Sequence, residues 1–188
     1  MQIIDNGIET LARKIQQHQN SDHIDFLKVR LGIQIVAINF FKAIVTYGLA
    51  LLLNTILYTL TVHVSYIFVR RFSHGAHAKS SLLCHIQNIL LFVLVPFAIA
   101  RFTIPFHYMF ALGVIGWLIV IKYAPAATRK QPIKASRRRG LKVKSIIVTA
   151  IVLIIALVVP APYQQLICFG VALQATTLLP IFFPKEAD

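Results

Sequence analysis

The chain has 188 residues, of which 57% are apolar and 13% are charged, and its mean hydropathy is +0.74. Soluble domains are about half apolar and carry about a quarter charged residues, so this composition predicts a membrane protein. The net charge is +13, from 19 Lys and Arg against 6 Asp and Glu. The acids all lie at the two ends, and none occurs from Phe26 to Lys185. This excludes paired-carboxylate hydrolysis and a helical H-E-x-x-H zinc site from the membrane body.

In chain order, the first predicted element is an amphipathic helix over residues 3–18. Apolar residues recur there at helical spacing, with charged residues between them. Such a helix lies along the membrane surface or packs on the rest of the protein, and the sequence leaves both open. We assign residues 1–30 to a cytoplasmic or interfacial segment. The recurring apolar residues are Ile4, Ile8, Leu11 and Ile15.

Charge-free stretches set the predicted spans, because a helix needs about 20 residues to cross a bilayer. Residues 31–69 carry one charge, Lys42, and predict a hairpin of two spans that turns near Ala50. An active-site segment at 70–85 precedes two spans within 86–121. The remaining predicted segments are a basic loop at 122–144 and two spans within 145–184, broken at Pro160-Ala161-Pro162.

The fold class is therefore predicted as an all-α polytopic membrane domain over residues 1–188, with six transmembrane helices. Six spans put both ends, residues 70–79 and the basic loop on one face, and leave Arg101 on the other. The positive-inside rule makes the basic face cytoplasmic. An alternative treats 43–69 as one long span. We expect no nucleic-acid partner, because no basic run is interleaved with stacking aromatics.

The segment 70–85 concentrates histidines beside a cysteine, Cys84. In a continuous helix His77 and Cys84 would be about 10.5 Å apart along the axis, so they meet only if the chain bends. Gly75 favours a bend, and Ser80 or Ser81 is a natural N-cap.

With Ser81 as the cap, Cys84 takes the third helical position, where the helix dipole favours a thiolate nucleophile. His77 is then the candidate base. Gln34 is the preferred candidate for orienting the imidazole or binding an oxyanion, although a polar helix–helix contact explains its position better. The other amides at suitable depth are Asn39, Gln87 and Asn88.

Two other interpretations remain open for the histidine cluster. His74, His77, Cys84 and His85 permit a zinc site in principle, but their spacing matches no recognised ligand pattern, so we expect no metal and no cofactor. A small membrane carrier of a metal ion or a peptide is the alternative function. Cys168 is predicted to be an apolar packing residue.

Arg70, Gly75, His77 and Cys84 form the pattern R-x4-G-x-H-x6-C. This pattern resembles the signature of the AgrB family, the membrane cysteine endopeptidases of Gram-positive quorum sensing. The resemblance covers essentially the whole chain. It implies that Cys84 is the nucleophile and His77 its general base, with Arg70 and Gly75 in support. Further stretches that look like the staphylococcal members are His23-Ile24 to Gln34, Tyr123 to Thr128, Lys130 to Ile133 and Thr177 to Phe183.

The resemblance also implies a substrate, an AgrD-type propeptide with an amphipathic leader, a cysteine-containing signal segment and an acidic tail. Cleavage through a Cys84 thioester would release the tail, and the propeptide's own cysteine would then close a thiolactone ring. Basic residues are candidates for holding the tail, although a positive-inside loop near anionic lipid explains them too. A homodimer is a further expectation. The basic candidates are Arg129, Lys130, Arg137, Arg138 and Arg139.

Overall fold

The computed structural model describes residues 2–19, 22–76, 80–102, 104–128 and 132–183. These residues are helical apart from short connections and an isolated parallel bridge between His74 and Ala126. The predicted all-α class is therefore confirmed. The helices are α1 (Gln2–Gln19), α2 (His23–Leu52), α3 (Ile56–Ser73), α4 (Ser81–Ile89), α5 (Val95–Arg101), α6 (Phe106–Tyr123), α7 (Ala135–Val158) and α8 (Tyr163–Thr176), with a π-helical turn at Leu90–Leu94 and a 3-10 turn at Pro180–Phe182.

The chain divides into two compact units, and the first, residues 1–48, holds α1 and most of α2. Ile8 of α1 and Phe26 of α2 are buried, and the Arg13 guanidinium lies 5.9 Å from the centre of the Phe26 ring. Arg13 also donates to the Glu9 carboxylate at 2.8 Å, and this hydrogen bond holds the pKa of Glu9 below its usual value. Residues 2–19 are thus helical as predicted, and α1 contacts the start of α2. Its place at the membrane interface stays a prediction.

The second unit, residues 49–188, is built around α8. Helix α8 packs against α3, α6 and α7, and most of its residues are buried. Close approach depends on small residues: a Cβ on Gly116 would lie 3.2 Å from the Cα of Ala172, and one on Gly170 would overlap the Ser65 hydroxyl. The short helix α8 thus forms the centre of the core.

The stretch predicted as a hairpin forms two helices, α2 and α3, and the connection between them at residues 53–55 lies slightly later than Ala50. Asn54 adopts φ 55° in the connection. The amide and the hydroxyl of Thr55 both donate to the Ala50 carbonyl, at 2.7 and 3.2 Å. These bonds satisfy a carbonyl that the end of α2 would otherwise leave unpaired.

Two helices extend into stretches predicted to lie outside the spans. Helix α2 begins at His23, before the predicted boundary at residue 31, and α7 begins at Ala135, within the predicted basic loop at 122–144. Charged residues mark the end of an apolar span but do not end a helix, since Lys and Arg are good helix formers. The predicted break at Pro160-Ala161-Pro162 is confirmed between α7 and α8.

The predicted third span is a composite of α4, the π-helical turn and α5. The turn directly precedes Pro96, which lies in the first turn of α5. Proline has no amide N–H and its ring crowds the preceding turn, and wider π-type hydrogen bonding accommodates both effects. The apolar rod from Leu82 to Arg101 therefore stays long enough to cross a bilayer.

Four helical stretches in the described part of the chain are long and apolar enough to span a membrane. This supports a multi-pass membrane protein. Helix α8 is not among them, because its 14 residues reach about 21 Å, less than the ~30 Å hydrocarbon core. Helix α3 is not among them either, and it carries Arg70 and Arg71 in its last turn. The four are His23–Leu52, Leu82–Arg101, Phe106–Tyr123 and Ala135–Val158.

Candidate active site

The bend predicted at Gly75 follows directly on the end of α3. The helix ends at Ser73, His74 takes φ 56°, and Gly75 takes φ 128°. A positive φ of this size is open to glycine and strained for other residues. Space gives a second reason for glycine, since an added Cβ would collide with the Thr177 side chain.

Main-chain hydrogen bonds fix the bend from two sides. On one side, the Ala126 amide donates to the Ser73 carbonyl at 3.0 Å, and the Gly75 amide donates to the Ala126 carbonyl at 3.2 Å. On the other side, the Ala76 amide donates to the Thr177 carbonyl at 2.9 Å. The connection between α6 and α7 and the end of α8 therefore hold residues 73–76 between them.

The Arg70 side chain adds a third set of contacts to the bend. Its Nη2 donates to the carbonyls of Ala76 at 3.0 Å and Gly75 at 3.5 Å. Its Nη1 donates to the Tyr66 hydroxyl at 2.8 Å and to Thr177 Oγ1 at 3.3 Å. Arg70 thus holds residues 75 and 76, because its guanidinium fork matches several acceptors at once. Its supporting role in catalysis stays a prediction.

Gln174 in α8 completes this network, and the sequence analysis did not identify it. Its carbonyl oxygen accepts from Arg70 Nη1 at 3.1 Å, and its Nε2 donates to Ser73 Oγ at 2.9 Å and to the His74 carbonyl at 2.5 Å. The side chain is fully buried. A polar residue inside an apolar helix is a recognised sign of interhelical bonding, but the sequence could not name its partners a hundred positions away.

Cys84 lies in the first turns of α4, where the sequence placed it. Ser80 is the N-cap: its Oγ accepts from the Leu83 amide at 3.1 Å. Cys84 therefore occupies the fourth helical position rather than the third, and its own amide donates to the Ser80 carbonyl at 3.1 Å. The half-buried thiol remains close to the positive end of the helix dipole.

A cavity of about 230 Å³ brings Cys84 and Arg70 to the same space. One part of its wall is polar and the other part is apolar and aromatic. The cavity is smaller than the ~300–1,000 Å³ of drug-sized sites. The polar wall consists of Arg70, Gln87, Asn88, Thr176 and Thr177, and the apolar wall includes Tyr66, Leu91, Phe92, Leu173 and Phe182.

The other residues that the sequence singled out have different outcomes. His77 lies outside the described residues, so its role as base stays a prediction, although Ala76 directly before it is held in place. Gln34 belongs to the unit of residues 1–48, and its role stays a prediction as well. Cys168 is fully buried in the core, as a packing residue should be.

Of the predicted tail-binding residues, Arg129 and Lys130 lie outside the described residues. Arg137, Arg138 and Arg139 are exposed on the first turns of α7, so they form a cationic helical surface rather than a loop. Within the described ranges, no group of three His, Cys, Asp or Glu side chains is placed to hold a metal ion.

Comparison with known proteins extends this picture to the whole chain. A sequence model described as accessory gene regulator B matches residues 8–178. The accessory gene regulator protein B of Staphylococcus intermedius is 58% identical, with 99% of each chain covered. The same protein of Staphylococcus haemolyticus (strain JCSC1435) is 53% identical, with 99% of each chain covered. That of Staphylococcus aureus (strain JH9) is 48% identical over 99% of this chain and all of its own.

No solved structure matches this chain. The family match and the full-length relatives nevertheless agree with each other and with the R-x4-G-x-H-x6-C pattern. The chain belongs to the accessory gene regulator B family.

Proposed function

We propose that this protein is a membrane cysteine endopeptidase that removes the C-terminal tail of an AgrD-type propeptide and promotes thiolactone closure of the signal peptide. One observation carries the proposal: the Cys84 thiol, at the capped start of α4, lines the same cavity as Arg70, which fixes the chain just before His77. A nucleophile at a helix start, with a candidate base that follows a fixed bend in the sequence, suits thiol chemistry.

In the proposed first step, His77 accepts the proton of the Cys84 thiol, and the sulfur attacks the carbonyl carbon at the junction of signal and tail. The C–N bond breaks, and His77 returns the proton to the leaving amine. The tail departs with a free amino terminus. The signal segment remains on Cys84 as a thioester.

In the second step the propeptide's own cysteine replaces water as the acceptor of the acyl group. Its thiolate attacks the thioester carbon, the bond to Cys84 breaks, and a thiolactone ring closes. One thioester replaces another, so the step depends mainly on proximity and on keeping water out. The apolar wall of the cavity, with Leu173 and Phe182, is suited to that exclusion.

We also propose the membrane arrangement in which this reaction runs. Helices α3 and α8 join the four long apolar helices as shorter spans, α1 lies at the interface, and the basic face with the Cys84 end of α4 is cytoplasmic. The imbalance of basic residues supports this orientation, since Arg71 and the arginines of α7 fall on the same predicted side.

The experiment is a reconstitution in vesicles. Purified protein is mixed with a staphylococcal AgrD-type propeptide, and mass spectrometry measures the released tail and the acyl adduct on Cys84. We expect Cys84→Ala to abolish both products and Cys84→Ser to abolish or greatly slow tail release. His77→Ala should remove cleavage as well.

Two controls make the result specific. Cys168→Ala, which changes the buried cysteine of α8, should retain cleavage, and a chelator should not inhibit it. Tail release by Cys84→Ala would overturn the endopeptidase proposal. Full activity of His77→Ala would instead move the base to another group, with His85 as the next candidate in the described chain.

A further inference from the structure

We propose that Gln174 is a positioning residue for the thiol chemistry of Cys84, because it holds the bend that leads into His77. This inference rests on the function proposed above, but it concerns a residue outside the R-x4-G-x-H-x6-C pattern. Gln174 does not itself line the cavity, and no described contact joins it to Cys84, so it acts through Arg70 and the main chain.

The first argument is the number of bonds that one amide makes. Its oxygen accepts from Arg70, and its nitrogen donates to Ser73 and to the His74 carbonyl. The amide thus joins the guanidinium and the main chain of the bend, the two parts that set where residue 76 ends. An amide side chain can accept through its oxygen and donate through its nitrogen at the same time.

The second argument is burial. Gln174 and Ser73 are fully buried, and a buried polar group that loses its partner carries the whole cost of its desolvation. Removing the amide leaves the His74 carbonyl without this donor and leaves Arg70 with one acceptor fewer. Because His74 already has a positive φ, we expect the bend to shift rather than to keep its conformation.

The same helix provides a matched control. Gln165 lies two and a half turns earlier in α8, is also buried, and donates through Nε2 to the Ile104 carbonyl at 3.2 Å. It joins α8 to the connection before α6 and makes no contact with the bend. A change at Gln165 therefore reports what the loss of a buried amide does to the packing of α8 alone.

The test compares Gln174→Leu with Gln165→Leu in the full chain in vesicles. Two quantities are measured: the rate of tail release, and the rate of Cys84 alkylation by iodoacetamide as a function of pH, followed by mass spectrometry. We expect Gln174→Leu to slow cleavage about 100-fold, the effect of misplacing a catalytic group by about 1 Å. Alkylation of Cys84 should become slower across the pH profile in Gln174→Leu, and Gln165→Leu should leave the profile unchanged.

Gln174→Glu is a second variant, and it keeps the test usable if Gln174→Leu does not fold. A carboxylate keeps the acceptor for Arg70, but when ionised it can donate neither to Ser73 Oγ nor to the His74 carbonyl. The Ser73 hydroxyl donates its own proton to the Val69 carbonyl. The cleavage rate of Gln174→Glu should therefore fall between those of the wild type and Gln174→Leu. A Glu variant no faster than the Leu variant would contradict the role through Arg70.

The inference is overturned if both leucine variants lose the same activity, or if the alkylation profile of Gln174→Leu equals that of the wild type. These outcomes differ from failure of the proposed function. If Cys84→Ala still releases the tail, the endopeptidase proposal is wrong whatever Gln174 does. If Cys84→Ala is inactive and Gln174→Leu is unaffected, the positioning role alone is wrong.

Discussion

Gly75 lies outside the helices, and two constraints favour glycine there. Its φ of 128° is strained for any residue with a side chain, and its Cβ position is occupied by Thr177. Residues forced into such conformations cost about 1–3 kcal/mol each. Because the bend precedes His77 and contacts Arg70, the strain should appear in catalysis as well as in stability.

We therefore predict that Gly75→Ala inserts into the membrane but cleaves the propeptide at least tenfold more slowly, measured as tail release in vesicles. Gly140→Ala is the matched control, since an added Cβ there meets nothing within 4 Å inside a helix. It should retain full activity and gain a little stability. Equal activity of both variants would show that the conformation at Gly75 is not required.

The N-cap of α4 gives a second prediction at the level of one side chain. Ser80→Ala removes the acceptor for the Leu83 amide, which costs about 0.5–2 kcal/mol. The first turn then frays where it holds Cys84, so we expect slower alkylation of Cys84 and slower cleavage. Ser80→Thr, which keeps a capping hydroxyl, should restore most of both rates; an unchanged Ser80→Ala would contradict a role for the cap.

The residues of the site differ in how far the sequence could identify them. Arg70, Gly75 and Cys84 lie close together in the chain, and their chemistry follows from residue type and spacing. Gln174 and Thr177 act only through contacts with residues about a hundred positions earlier. Such contacts depend on how α8 packs against α3, which periodicity and spacing do not specify.

At the scale of elements, the crossing of α3 and α8 sets the distance between the bend and Gln174. The two helices approach closely at Gly170, since an added Cβ would overlap Ser65 Oγ and lie 2.9 Å from the Val62 carbonyl. Overpacking of this kind costs about 1–3 kcal/mol. It would also push apart the two helices that hold the bend.

Gly170→Ala should accordingly lower the midpoint of thermal unfolding in detergent micelles and reduce tail release. Adding Ser65→Ala removes the nearest clashing atom, so the double variant should recover part of the lost stability. The recovery is incomplete because the Val62 carbonyl does not move away. If Gly170→Ala is as stable as the wild type, the helices do not approach as closely as described.

Most of the helices were predictable from the sequence, but the residues at which they begin were not. Apolar runs and the Pro160-Ala161-Pro162 break located the helical segments, because those patterns determine where a helix is buried or broken. The start of α7 at Ala135 and of α2 at His23 fell within charged stretches. Charge predicts where a span leaves the membrane, but helical hydrogen bonding continues past that point.

At the scale of the whole molecule, the excess of 13 positive charges can serve capture of the substrate as well as orientation in the membrane. Arg137, Arg138 and Arg139 are exposed together at the start of α7. A cluster of three cations attracts an acidic peptide tail over roughly a Debye length, about 8–10 Å at physiological salt. Such steering acts on capture of the substrate rather than on the bond-breaking step.

Replacing these three arginines by glutamine should therefore raise KM for the propeptide severalfold and leave kcat nearly unchanged. The effect should shrink as salt is added, because screening weakens capture in the wild type as well. The matched control replaces the same three residues by lysine, which keeps the charge and loses the guanidinium geometry. A normal KM in the lysine variant would indicate steering by charge. If the glutamine variant inserts normally and also keeps a normal KM, these residues serve membrane orientation alone.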